Sequence, residues 1–170
     1  MSIKSLKTPL RYPGGKSRAC KKMDTYIPDL REYDSYYEPF LGGGSVAIHI
    51  TKKYPHLHIN VNDLYKPLYN FWLCLQRDGE LLADELKNLK SSHSTPDLAR
   101  GLFIESKDII NDDTKSELER AIAFYIVNKC SFSGLTESSS FSEQASNSNF
   151  SLRGITKLPA YSELISRWRI

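Results

Sequence analysis

Strict alternation of apolar and polar residues occurs where Leu57, Ile59 and Val61 take turns with His58, Asn60 and Asn62. A period of two puts alternate side chains on opposite faces, so this segment predicts a strand ending at Asn62-Asp63. Upstream, the Tyr- and Phe-rich run Ser35 to Phe40 predicts a second short strand. Leu41-Gly42-Gly43-Gly44 follows as a turn, and Ser45 to Lys53 predicts a helix with Ser45 as its N-cap. Before this βαβ unit, Ala19, Met23 and Ile27 recur every four residues and predict a helix over 16–27, closed by Pro28.

Beyond Asp63 the period changes to three and four. Leu68, Phe71, Trp72 and Leu75 predict one helix, and Leu81, Leu82, Leu86 and Leu89 a second. Thr95-Pro96 is an N-cap followed by a first-turn proline, opening a third helix through Leu98, Leu102, Ile109 and Ile110. Asn111-Asp112-Asp113 breaks it, and Leu118, Ile122, Phe124, Tyr125 and Ile126 predict a fourth. Residues 131–151 hold nine serines and few apolar residues, the pattern of a long polar loop. A short helix is expected over 162–168. Two strands are too few for an independent sheet, and only Arg167 to Ile170 could add a third. The expectation is therefore a part of a larger α/β domain, completed by a further C-terminal segment or by a second chain.

Composition narrows the class without naming a function. The 170 residues are 40% hydrophobic and 25% charged, with a mean hydropathy of −0.43. Collagen-like, coiled-coil and wholly disordered chains are excluded, and no apolar run is long enough to span a membrane. Cys20, Cys74 and Cys130 form no C-x-x-C pair, which favours a reducing, cytoplasmic setting over a disulfide scaffold. The net charge is +3. Residues 1–31 carry eight Lys or Arg against two Asp, and residues 65–125 carry eight against eleven acids, so the basic charge gathers toward the ends.

Three segments could carry chemistry. In Glu38-Pro39-Phe40-Leu41-Gly42-Gly43-Gly44-Ser45, a strand runs through glycines into a helix, where a ligand can approach backbone N–H groups. Asp63 ends the next strand, nineteen residues after Gly44, where a carboxylate can accept hydrogen bonds from ribose hydroxyls. An ordinary tight turn with a strand-terminal cap would use the same residues. Tyr12-Pro13-Gly14-Gly15-Lys16-Ser17 resembles the tail of a phosphate-binding loop. The position that the full motif reserves for glycine is Leu10, so an ATPase site is rejected. Tyr12 could stack on a purine and Lys16 could meet a carboxylate. Asn128-Lys129-Cys130-Ser131-Phe132-Ser133-Gly134-Leu135, with Arg153 beyond it, suits a nucleic-acid surface or a plain serine-rich linker. None of His49, His56, His58 and His93 has partners at metal-ligand spacing, so no metal is expected.

These motifs, in this order, resemble the Dam-type DNA adenine-N6 methyltransferases. Arg11 to Lys16 is similar to that family's aromatic-x-Gly-Gly-Lys motif, Glu38 to Ser45 to its glycine-rich motif, and Asn62-Asp63 to its acid after the second strand. Asn128 to Leu135 is similar to its Asn-x-x-x-aromatic-x-Gly-Leu signature. The resemblance implies a Rossmann-like fold that binds S-adenosylmethionine (SAM), with an incomplete sheet and a largely helical DNA-recognition insertion. It divides the chain into a SAM-binding part (1–64), a target-recognition part (65–158) and a return toward the sheet (159–170). It implies methyl transfer to adenine N6 in double-stranded DNA. Tyr12, Gly14, Gly15, Lys16, Glu38, Phe40, Gly42, Gly44, Ser45 and Asp63 would bind SAM, and Lys129, Phe132, Ser133 and Arg153 would bind DNA. The family's catalytic Asp-Pro-Pro-Tyr segment does not occur in this sequence, so no catalytic residue is assigned, and this chain alone is expected to be inactive. A non-catalytic DNA-binding remnant of such an enzyme is the alternative. An NAD-binding module is disfavoured by Pro39 and by the upstream Tyr12–Lys16 motif.

Overall fold

A computed structural model describes residues 3–134 and 138–170. Strands β1 (Ser35–Glu38) and β2 (His58–Val61) pair in parallel, Ser35 opposite His58 and Glu38 opposite Val61. Helix α2 (Ser45–Lys53) connects them. Ile59 and Val61 are buried while His58 is exposed, as the alternation requires. The other edge of β2 is taken by the C-terminal segment: Arg169 N–H donates to the Ile59 carbonyl (2.9 Å), and Val61 N–H to the Arg169 carbonyl (2.8 Å). The third strand expected at 167–170 is thus present as one parallel bridge.

Three expectations about local structure are corrected. The helix expected over 16–27 is regular only at α1 (Cys20–Met23). Cys20 is its only buried side chain, so there is no apolar stripe to lengthen it, and turns continue on either side. Ser45 is not an N-cap; Gly44, in the left-handed region at φ 68°, holds that position, and Ser45 is the first helical residue. By contrast, the two helices expected after Pro67 are both present, joined end to end as α3 (Lys66–Ser92) across the non-helical Asp78 (φ −128°, ψ 33°). The segment 131–151 is not a plain loop. It holds an antiparallel bridge between Ser131 and Phe141 and a helix, α6 (Glu143–Ser148). Three of its apolar residues pack: Phe150 and Ala145 are buried and Phe141 lies against Phe103. Its serines act as caps, with Ser142 and Ser151 accepting from the Ala145 and Gly154 amides.

The remaining helices follow their sequence signals. α4 (Pro96–Ile109) is capped by Thr95, and α5 (Glu117–Cys130) opens on a capping box between Ser116 and Glu119. α7 (Leu152–Ile155) precedes α8 (Leu158–Ile165), which starts four residues earlier than the spacing suggests because Pro159 sits in its first turn. α3 packs on α5 and α8, and α4 packs on α5. Phe71 of α3 meets Phe124 and Tyr125 of α5 at ring-centroid distances of 5.5 and 5.9 Å, and Trp72 meets Trp168 at 5.7 Å. The buried apolar cluster runs without a break from Ile48 and Ile59 to Leu86 and Phe124, so the βαβ unit and the helices share one core. Among the described residues no helix is long and apolar enough to cross a membrane.

Gly79, beside the kink, is where α8 comes closest to α3: a Cβ there would lie 2.5 Å from Ser162 Cβ. Gly101, on the exposed side of α4, has open space around it. The same substitution should therefore have opposite signs. In urea titrations Gly79→Ala should destabilise by about 1–3 kcal/mol through overpacking. Gly101→Ala should stabilise by about 0.5–1 kcal/mol through helix propensity.

Candidate functional site

The turn between β1 and α2 is held by side chains from other parts of the chain. Gly42 and Gly44 adopt positive φ (52° and 68°), a region that carries a steric penalty for residues with a Cβ. The Gly42 amide donates to Asp63 Oδ2 (2.8 Å), and Trp72 Nε1 donates to the Gly42 carbonyl (3.1 Å). Asp63 Oδ1 accepts from the Tyr65 amide (3.1 Å), so one carboxylate ties the glycine turn to the start of α3. Thr8 donates to the Gly43 carbonyl.

The glycines make room for protein first. A Cβ on Gly42 would stand 3.0 Å from Tyr12 Cε1, one on Gly43 2.9 Å from Tyr12 Cβ, and one on Gly44 2.6 Å from Trp72 Cζ2. The ring of Tyr12 therefore lies over the turn, while 36% of the residue stays exposed. Burial raises its phenol pKa, and the Asp63 charge raises it further.

Tyr12, Gly14, Gly15, Lys16, Glu38, Phe40, Gly42 and Ser45 line one cleft of about 530 Å³, joined by Tyr36, Tyr37, Met23 and Val46. Gly44 and Asp63 stand behind the turn. Lys16 is exposed, its Nζ donating to the Gly14 carbonyl (2.7 Å). The Ser17 and Ser45 hydroxyls meet at 2.8 Å, pinning this loop to the start of α2. Phe40 is 84% exposed at the rim. Glu38 accepts from the Tyr36 hydroxyl (3.1 Å) and from the Ala47 amide. Burial nevertheless dominates and pushes its carboxyl up to about 7.

The expected DNA residues divide. Phe132 (76% exposed) and Ser133 project from the turn after α5, and Arg153 is exposed on α7. Lys129 is half-buried on α5, its Nζ 5.1 Å from the centroid of the Tyr125 ring. Burial lowers its ammonium to about 8, with repulsion from Arg11 adding to the shift. Leu135, the last residue of the signature beginning at Asn128, lies outside the described residues. Sequence reasoning missed the parts played by Trp72, Thr8 and Asn128. Trp72 reads as plain core, and nothing in the local pattern marks its indole N–H as the partner of Gly42. Asn128, fully buried in an otherwise apolar helix face, was the legible signal. Among the described residues no three His, Cys, Asp or Glu side chains are grouped to hold a metal ion.

A parallel strand, glycine turn, helix and strand ending in an acid form the kind of unit with which α/β proteins bind nucleosides. The family model of the D12 class N6 adenine-specific DNA methyltransferases matches residues 12–167. The chain belongs to that family. It is 26% identical over 133 residues to the type II methyltransferase M.MjaIII of Methanocaldococcus jannaschii, covering 74% of this chain and 46% of that protein. It is 27% identical over 126 residues to the DNA N-6-adenine-methyltransferase of Escherichia phage P1, covering 74% of this chain and 15% of that protein. The chain thus spans less than half the length of either relative.

Glu38 sets a pH dependence of stability. Its carboxyl holds a proton to higher pH in the folded protein than in the unfolded chain, so the fold is favoured on the acid side. That contribution is lost as pH rises from the ordinary carboxyl value through about 7. Melting temperatures measured between about pH 5 and pH 7.5 should fall more in the wild type than in Glu38→Gln. Parallel curves would show that Glu38 ionises as an ordinary surface acid.

Proposed function

We propose that this chain is the cofactor-binding and DNA-recognition portion of a SAM-dependent DNA adenine-N6 methyltransferase, built on a Rossmann-like sheet. The observation that carries the reading is the glycine turn locked to Asp63 beside a cleft bearing both aromatic faces and opposite charges. Its volume falls within the roughly 300–1,000 Å³ of small-ligand sites.

The residues fit the cofactor. Tyr12 and Phe40 offer apolar surface for an adenine ring. Each Asp63 oxygen accepts one backbone N–H and keeps a lone pair for a ribose hydroxyl. Lys16, exposed and bonded to the neighbouring Gly14 carbonyl, suits the methionine carboxylate, and Glu38 suits its cationic end. Gly14, Gly15 and Ser45 shape the walls, and Gly44 sets the start of α2 behind them. When bound, SAM supplies an electrophilic methyl group.

Double-stranded DNA would be met by the turn carrying Phe132 and Ser133, with Lys129 and Arg153 in supporting positions. The target adenine must leave the stack to be methylated, at a cost of a few kcal/mol. The amino group also needs carbonyl or carboxylate acceptors to orient it. The family's Asp-Pro-Pro-Tyr segment does not occur in these residues, so methyl transfer is assigned to a fuller assembly. A further segment or a second chain would extend the sheet, which among the described residues has two strands and the bridge at Arg169. A DNA substrate and three free, buried cysteines suit a cytoplasmic setting.

Calorimetry of the purified chain tests the cofactor assignment. SAM should bind saturably at one site, and Lys16→Ala should weaken it about tenfold, or ~1.4 kcal/mol. Salt-dependent DNA binding with no heat from SAM would favour a DNA-binding remnant instead.

A further inference from the structure

We propose that Arg11 and Asn128 are positioning residues, forming a clasp through which a ligand in the cofactor cleft fixes the turn that carries Phe132. The proposal rests on the cofactor reading above and adds a coupling between the two halves of the site.

Asn128 is fully buried near the end of α5. Its carboxamide runs alongside the Arg11 backbone as a neighbouring strand would. Oδ1 accepts from the Arg11 amide (3.0 Å), and Nδ2 donates to the Arg11 carbonyl (2.6 Å) and to the Gly134 carbonyl (3.0 Å). The Arg11 guanidinium reaches the same turn, Nη1 donating to the Ser131 carbonyl (2.6 Å) and Nη2 to the Phe132 carbonyl (3.0 Å). Gly134 closes the contact: at φ 74° it lies so near that a Cβ would stand 2.8 Å from both Cβ and O of Arg11.

Arg11 immediately precedes Tyr12, whose ring lies on Gly42 and Gly43 and lines the cleft. A ligand that orders Tyr12 therefore orders the backbone to which Asn128 and Gly134 are bound. The far part of the serine-rich segment is held separately. Lys107 donates to the Ser139 carbonyl (3.1 Å) and Lys90 to the Ser146 carbonyl (3.2 Å), both from the helical part. Of these three cations Arg11 alone comes from the cofactor side, so it carries the coupling. Methyl transfer needs donor and acceptor aligned closely, and a clasp between the cofactor loop and the DNA-contact turn supplies such alignment.

Amide hydrogen exchange of the chain, with and without saturating SAM, tests the clasp. In the wild type SAM should slow exchange over 12–16 and, by about fivefold or more, over 131–134. Arg11→Ala, which removes the two guanidinium bonds and leaves the backbone bonds to Asn128, should keep the first effect and reduce the second. Gly134→Ala, which pushes the turn off Arg11, should do the same and serves if the first variant is poorly folded. Slowing confined to 12–16 in the wild type, or equal slowing of 131–134 in folded variants, overturns the clasp. No slowing over 12–16 in the wild type overturns the cofactor assignment itself.

Discussion

Both backbone polar groups of Gly42 are held by side chains from distant parts of the sequence. Its amide is bound by Asp63 at the end of β2, and its carbonyl by the indole of Trp72 in α3. Each partner brings an element with it. Asp63 also caps the approach to α3 through the Tyr65 amide, and Trp72 packs on Trp168 next to the residue that bridges to β2. The turn is thus fixed by the sheet, by the longest helix and, through Tyr12, by the N-terminal loop. A side chain on any of the three glycines would strike one of these partners. The cleft is a consequence of this arrangement, because its floor cannot relax without releasing all of them.

The same arrangement explains why the cofactor unit and the helices are not separable by packing. Trp72, Phe71 and Leu75 are fully buried and continuous with Ile48 on one side and Phe124 on the other. An isolated pair of parallel strands would be marginal in water; here it is backed by α2 and flanked by the segment at Arg169. The helices and the glycine turn therefore share one packed core, and Asn128 and Arg11 tie it to the turn bearing Phe132.

Much of this was legible in the sequence where a signal is local. Alternation at 57–61, the glycine run, the acid after it and the Thr95-Pro96 cap each name an element through the residues that form it. The family resemblance rests on the same local motifs. What escaped depends on tertiary contact. The packing of α8 against Gly79, beside the kink that divides α3, has no local signal. Serines that read as loop are helix caps once Phe141, Ala145 and Phe150 find the core. The glycines also admit Tyr12 and Trp72, close approaches that no local pattern marks.

The central claim is that the turn fixed by Asp63 and Trp72 is a preorganised floor for a nucleoside cofactor. A crystal structure of the chain grown with SAM tests it most directly. The account predicts the ribose hydroxyls on Asp63 and the adenine beside Tyr12, with the Gly42–Asp63 and Trp72–Gly42 hydrogen bonds intact. A ligand bound elsewhere, or one that enters only by breaking those two bonds, would contradict it.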